Sequence, residues 1–255
     1  MLLAVDVGNT HTILGVYDGE ELRAHWRIAT KKESTPDEFG VLLRSLFDTA
    51  GIEREAVDGV VVSSVVPDLD TVFEKLARRV FRAEPLFIGP GIRTGLPILY
   101  DNPHEVGADR IVNAVAALER YGAPVIVLDF GTATTFDVVG EKGEYLGGVI
   151  APGLGISAEA LFERAARLVH VDVREPQRVV GRNTQESMQS GLFYGYASLV
   201  EGVVQRIRQE LETPAPVVAT GGLARVFEGQ LGFLEAVDPG LTLEGLRLIW
   251  GKNRT

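Results

Sequence analysis

The chain of 255 residues contains no cysteine, which excludes a disulfide framework, a thiolate metal site and a thiol nucleophile. Cohesion must come from packing. No apolar run approaches the roughly 18 residues that a membrane span requires, and Met1 to Leu3 lead straight to Asp6 without a basic, apolar leader. A cytoplasmic protein with no membrane partner is therefore expected. Lysine is scarce, confined to Lys31, Lys32, Lys75, Lys142 and Lys252, and no G-x-x-x-x-G-K-[ST] segment exists to supply a P-loop lysine. The net charge of −10 disfavours a nucleic-acid surface, which needs clustered lysine and arginine to displace counterions. No linker rich in proline, glycine or serine divides the chain, so a helix is expected to join its halves.

What the chain does have is one device twice. Asp6-Val7-Gly8-Asn9-Thr10-His11-Thr12 and Asp129-Phe130-Gly131-Thr132-Ala133-Thr134-Thr135 each follow an apolar run and precede another, offset by 129 − 6 = 123 residues. The pattern reads as strand, tight turn, strand. Glycine lets backbone N–H groups approach a ligand, and neighbouring hydroxyls can donate to phosphoryl oxygens. An aspartate at the strand end would repel phosphate, so it faces a cation. A single hairpin of this kind also suits an ordinary turn. Matching Gly8 with Gly131, Thr12 with Thr135, Ile13 with Phe136 and Val16 with Val139 keeps turn chemistry and apolar alternation together, which points to internal duplication and to two turns clamping a metal-bound nucleotide.

Between these landmarks, Leu22 to Ala29 reads as a third strand. Thr35-Pro36-Asp37-Glu38 opens a helix through a capping box that Gly51 closes. Val60 to Val66 and Pro85 to Ile88 read as strands around an amphipathic helix from Leu69 to Phe81. The second half predicts a helix over 106–120, strands over 125–129, 134–139, 145–150 and 217–219, and helices over 156–168, 184–212 and 241–250. Gly191, Gly195 and Gly202 interrupt the long helix at about 1 kcal/mol each relative to alanine, which calls for close helix packing. Histidines at 11, 25, 104 and 170 show no metal-ligand spacing. His11 reads as structural and His104 as a helix-entry residue.

The segment Asp101-Asn102-Pro103-His104-Glu105-Val106-Gly107-Ala108-Asp109-Arg110-Ile111-Val112-Asn113-Ala114 adds a carboxylate and an arginine at a helix start. Alone, Asp109 suits either a favourable helix N-terminus or a catalytic base. With the D-x-G-N-T-x-T start, the D-F-G-T-A-T-T block and the later G-G-x-I-x-P-G, the G-A-D-R-x-x-N-A block resembles the type III pantothenate kinases over essentially the whole chain.

That resemblance implies an α/β fold of two duplicated ribonuclease-H-like domains of the actin-like ATPase kind, here residues 1–114 and 115–255, with a nucleotide cleft between them. It implies ATP-dependent phosphorylation of pantothenate, the first step of coenzyme A biosynthesis. Asp109 becomes the proton acceptor, and Tyr100, Gly107, Ala108, Asp109 and Arg110 the pantothenate pocket, Arg110 offering a planar fork to a carboxylate. Asp6, Val7, Gly8, Asn9, Thr10, His11, Thr12 and Ile13 would hold ATP phosphates, with Asp6 directed at magnesium, and Thr132 would contact ATP. Asp129 would bind a monovalent cation, potassium or ammonium. Thr184 would touch substrate across a homodimer interface, although as a bare residue it reads as the N-cap of the long helix. Gly221-Gly222 would pass near adenine or ribose, or form a plain turn. Other readings on the same scaffold are a kinase or phosphohydrolase with another acceptor, a regulatory protein, and an actin-like filament.

Overall fold

The apolar runs that end in Asp6 and Asp129 form the central strands of two sheets. In a computed structural model, which describes residues 1–164 and 171–254, β1 (Leu2–Val7) pairs antiparallel with β2 (His11–Asp18) and parallel with β4 (Gly59–Ser64). With β3 (Glu21–Ala29) and β5 (Pro85–Phe87) the order is β3-β2-β1-β4-β5. The second sheet repeats it. Here β6 (Val125–Phe130) lies between β7 (Ala133–Val139) and β9 (Val217–Thr220), flanked by β8 (Tyr145–Pro152) and β10 (Leu234–Val237), giving β8-β7-β6-β9-β10. Two sheets of one topology, each an antiparallel meander extended by parallel strands, are the expected duplicated ribonuclease-H-like fold. The short strand β10 has no counterpart in the sequence reading.

In the first unit, α1 (Pro36–Ala50) starts at the capping box: the Glu38 backbone N–H donates to Thr35 Oγ1 and the Thr35 N–H to Glu38 Oε2. It ends at Gly51, whose φ of 65° is open to glycine at no steric cost. After β4, α2 (Pro67–Leu76) runs on into one wider turn over Ala77–Phe81. Together α1 and α2 bury Phe39, Leu43, Phe47, Leu69 and Phe73 against Leu3, Val5, Leu14 and Val16 on one face of the sheet.

The opposite face is taken by α6 (Leu241–Asn253). Glycines make that approach possible: a Cβ at Gly15 would come within 2.8 Å of Leu243, and one at Gly59 would strike the Trp250 ring. The same helix holds α3 (Ala108–Tyr121), because Gly245 sits against the Val112 carbonyl and Thr242 Oγ1 donates to Asn113 Oδ1 at 2.7 Å. Contacts accordingly divide the chain into Met1–Glu119 with Gly240 onward, and Arg120–Pro239. The division differs from the expected one between residues 114 and 115, since the terminal helix packs on β1 and β4.

The second unit packs α4 (Leu154–Arg164) and α5 (Thr184–Leu211) with β6, β7 and β9, burying Ile126, Leu128, Phe130, Phe136, Phe193 and Phe227. Residues 165–168 of the helix expected to end at Leu168, and His170, lie outside the described residues. Thr184 is not the N-cap of α5; Asn183 is, its Oδ1 accepting from the Glu186 N–H at 2.9 Å. No described helix is long and apolar enough to cross a membrane.

The close crossing of α6 and α3 predicts opposite outcomes for two glycines of one helix. Gly245→Ala forces a methyl into the Val112 carbonyl and should cost about 1–3 kcal/mol of unfolding free energy, as overpacking does. Gly251→Ala meets no atom within 4 Å and should be neutral or stabilise by up to about 1 kcal/mol. Both tryptophans, Trp26 and Trp250, lie in the first unit, so their fluorescence during urea unfolding reads this difference directly. Equal stability of the two variants would refute the account.

Candidate active site

The first turn springs from the end of β1, where Asp6 is partly buried and Val7 fully buried. Gly8 donates its N–H to the His11 carbonyl at 3.0 Å, and a Cβ on Gly8 would lie 2.9 Å from that oxygen. Asn9 and Thr10 stand exposed at the tip. The turn is braced by Thr30, just past β3, a residue no sequence signal singles out. Its N–H donates to the Thr10 carbonyl at 2.9 Å and its hydroxyl to the Gly8 carbonyl at 2.7 Å. With the Thr30 proton committed there, the buried Thr12 hydroxyl donates to Thr30 Oγ1 at 2.9 Å. Thr12 thus holds the turn from inside. Beside it, the His11 ring meets Arg27 of β3, Nη2 to Nδ1 at 2.9 Å. Partial burial and the Arg27 charge both hold the His11 pKa below its ordinary value.

The second turn is one residue shorter. Three residues, 8–10, link β1 to β2, whereas two, 131–132, link β6 to β7. Pairing shows the consequence: Asp6 faces Ile13 and Val7 faces Thr12, while Asp129 faces Thr135 and Phe130 faces Thr134. The structural counterpart of Thr12 is therefore Thr134 and that of Leu14 is Phe136. The register expected from sequence, Thr12 with Thr135 and Ile13 with Phe136, is corrected by one residue beyond the turn. An error of one residue exchanges the two faces of a strand, and burial agrees, with Thr12 and Thr134 both fully buried.

A brace recurs with different chemistry. The Tyr196 hydroxyl of α5 hydrogen-bonds the Thr134 hydroxyl and the Pro152 carbonyl, the latter at 2.9 Å. Gly153, last residue of the G-G-x-I-x-P-G segment, donates its N–H to the Thr132 carbonyl at 3.1 Å, and any Cβ there would collide with that carbonyl. Thr132 itself is exposed on the turn. Asp129 lies between two glycines. A Cβ on Gly131 would be 3.5 Å from Asp129 Oδ1, and one on Gly221, whose φ is 92°, would strike it. Contact with Asp129 and Phe130 is thus what demands glycine at 221. Among the described residues no group of three or more His, Cys, Asp or Glu could hold a metal. Single carboxylates at strand ends suit a cation coordinated largely by phosphate, carbonyl and water oxygens.

The Tyr100–Arg110 block belongs to the first unit. Tyr100, half-buried, precedes a short turn over Pro103–Glu105 that Asn102 caps by accepting from the His104 N–H, so His104 does stand at a helix entry. The Gly107 carbonyl accepts from the N–H groups of Arg110 and Ile111. In the first turn of α3, Asp109 Oδ1 accepts from the Arg110 N–H at 2.9 Å, and it would lie 2.6 Å from a Cβ on Gly107. Glycine at 107 is what lets this carboxylate fold back over the helix start, where N–H groups favour negative charge. Arg110 is 7 % exposed. The first unit thus carries the Asp6–Ile13 turn and the Tyr100–Arg110 block, and the second carries Asp129, Thr132 and the exposed Thr184.

Comparison with known proteins adds the chain's relationships. The family model for type III pantothenate kinase matches residues 2–206. A type III pantothenate kinase of Myxococcus xanthus is 57 % identical over 253 residues, covering 99 % of both chains. Among solved structures, a Campylobacter jejuni protein assigned to the Baf family of transcriptional activators superposes with a TM-score of 0.63 at 18 % identity, covering 98 % of each chain. A Porphyromonas gingivalis protein assigned as an N-acetylglucosamine kinase superposes at 0.54 with 14 % identity and full coverage of both. At such identities these two likenesses speak for the fold alone.

The braces give a testable symmetry. Thr30→Val and Tyr196→Phe each leave a carbonyl and a buried threonine hydroxyl short of a partner, at a cost of about 1–3 kcal/mol. Amide exchange should quicken at residues 8–10 in the first variant and at 131–132 in the second, each leaving the other turn unchanged. Exchange that quickens at neither turn would remove the bracing role.

Proposed function

The chain belongs to the type III pantothenate kinase family and catalyses ATP-dependent phosphorylation of pantothenate, and we propose that Asp109 is the base, Asp6 and Asp129 the cation-facing groups, and Thr184 a contribution from a second subunit. The observation that carries the assignment of the base is the Gly107–Arg110 geometry. A carboxylate at a helix start, accepting from the Arg110 backbone N–H, offers oxygen lone pairs that can take a proton. Phosphoryl transfer to an alcohol asks the protein for positioning, charge stabilisation and such an acceptor. Tyr100, Gly107, Ala108 and Arg110 then surround the acceptor substrate, with the Arg110 guanidinium matched to its carboxylate.

The phosphate side follows from the turns. Backbone N–H groups around Gly8 and the residues Val7, Asn9, Thr10, His11, Thr12 and Ile13 receive ATP phosphates, and Thr132 contacts the nucleotide from the second unit. Bound Mg²⁺ supplies neutralisation of the triphosphate next to Asp6. A monovalent cation, potassium or ammonium, would be held at Asp129, beside which Gly131 and Gly221 place no side chain.

Support for a homodimer comes from α5. The glycines at 191 and 195 were expected to need a close helix neighbour, yet a Cβ at either would meet nothing within 4 Å among the described residues. A second copy of the helix would supply the missing contact, with the exposed Thr184 at its start.

An ATP-consumption assay with pantothenate, a panel of sugars, acetate and water as acceptors tests the activity, with potassium replaced by a large organic cation at constant ionic strength. Turnover should require pantothenate and fall without potassium. Asp109→Asn should retain ATP binding and lose about 100- to 10,000-fold in turnover. Loss of less than about tenfold would discard Asp109 as base, and full activity after rigorous removal of potassium, sodium and ammonium would discard the cation at Asp129.

Mixing Asp109→Asn chains with Thr184→Ala chains tests the shared site. Each hybrid dimer would hold one site with both lesions and one with neither, so activity should reappear on subunit exchange. A monomer by sedimentation at assay concentration, or no recovery despite proven exchange, would refute it.

A further inference from the structure

Strand pairing aligns Asp6 with Ile13 and Ile13 with Arg27, so these three residues form one row across β1, β2 and β3. Residues two apart on a strand share a face. His11 therefore lies on the same face as Asp6, one step closer to the turn, and the Arg27 guanidinium reaches it at 2.9 Å. Three features set this pair apart. Arg27 is exposed, and among the described residues no carboxylate forms an ion pair with it. His11 is anchored in the turn, because its carbonyl is the acceptor for the Gly8 N–H. The ring's orientation is set by a donor that cannot accept.

That last point fixes the tautomer. A guanidinium has only N–H donors, so Nδ1 of His11 must carry the lone pair, and the neutral ring then bears its proton on Nε2. Burial and the Arg27 charge both disfavour protonation of the ring, keeping it in this form at neutral pH. The result is an oriented Nε2–H donor and a cation with four further N–H groups beside a turn built to receive an anion. No lysine lies in either turn.

We propose that Arg27 and His11 form a phosphate-recognition pair that contacts the terminal phosphates of the nucleotide from the β3 side of the first turn, Arg27 supplying charge and holding His11 with Nε2–H as donor. The proposal rests on the ATP-dependent kinase reading. It makes Arg27 a substrate-binding residue with a second task, the positioning of His11, and it supplies from an edge strand part of the positive charge that other nucleotide-binding folds take from a lysine.

The test is calorimetric binding of ATP, ADP and AMP with magnesium to the wild type, Arg27→Ala and His11→Ala, with pantothenate kinetics alongside. Arg27→Ala should weaken ATP about ten- to a hundredfold, the loss expected for a charge-assisted hydrogen bond, while AMP affinity holds. KM for ATP should rise more than KM for pantothenate. Nitrogen-detected NMR of the His11 ring should show the Nε2–H form in the wild type and a mixture of tautomers in Arg27→Ala. His11→Gln, whose amide can place an N–H near the Nε2 position, should lose less ATP affinity than His11→Ala. Unchanged ATP affinity in Arg27→Ala, or equal losses for ATP and AMP, would overturn the proposal while leaving the kinase reading intact. A wild type that binds ATP with this phosphate dependence but does not phosphorylate pantothenate would sink the kinase reading and leave the pair standing.

Discussion

Each turn depends on the strand it springs from. β1 and β6 are hydrogen-bonded along both edges, antiparallel on one side and parallel on the other, and their side chains from Leu3 to Val5 and from Val125 to Leu128 are fully buried. Such a strand cannot slide or tilt without breaking two ladders and opening the core on both faces. Its last residues are therefore among the most rigidly placed in the unit. Asp6 and Asp129 occupy those ends, and the turns that follow inherit their precision. Rigid placement matters because phosphoryl transfer depends on position more than on reactive side chains.

Much of this was legible because it is local. Apolar runs, the Thr35–Glu38 capping box, Gly51 as a helix stop and the Asp-x-Gly turns are all set by a few neighbouring residues, and the structure repeats them. The long-range features were not. Thr30 and Tyr196 brace turns 20 or more residues away in sequence, and nothing in a lone threonine or tyrosine announces it; only strand pairing and helix packing bring them there. The terminal helix read correctly as a helix, but its allegiance to the first sheet rests on Gly15, Gly59 and Gly245, glycines whose role is to leave room for side chains or backbone distant in sequence. The register of the second hairpin failed for a different reason. One residue fewer in a turn is invisible when both turns contain glycine and threonine, yet it shifts every later match by one and so exchanges the strand's faces.

With that shift applied, the two copies can be compared position by position, and their difference is informative. Gly15 corresponds to Asp137. In the first unit the missing side chain admits Leu243 of α6, and α6 in turn carries α3 with Asp109. In the second unit the same position holds a fully buried carboxylate that accepts from the Tyr145 hydroxyl at 2.7 Å and the Thr135 hydroxyl at 2.9 Å. Thr135 stands directly opposite Asp129 in the ladder. One copy of the fold has used this face to dock a helix that packs on α3, while the other has filled it with a hydrogen-bonded cluster beside the strand pair bearing Asp129. Duplication supplied the turns; divergence of one strand face assigned them different work.

The same logic explains how the chain manages polyanion chemistry with a net charge of −10 and five lysines, none of them in either Asp-x-Gly turn. A charge spread over flexible lysines would be screened and mobile. Here the proposed anion contacts are groups held in place by the fold: backbone N–H groups of the first turn, an arginine buried at the start of α3, and another hydrogen-bonded to a histidine of the turn. Fixed dipoles and a planar guanidinium lose little freedom when phosphate arrives, so more of their interaction energy remains for the transition state, where negative charge moves onto the transferring group. Under the proposed assignment, the carboxylates at the two strand ends add bound cations to these fixed groups.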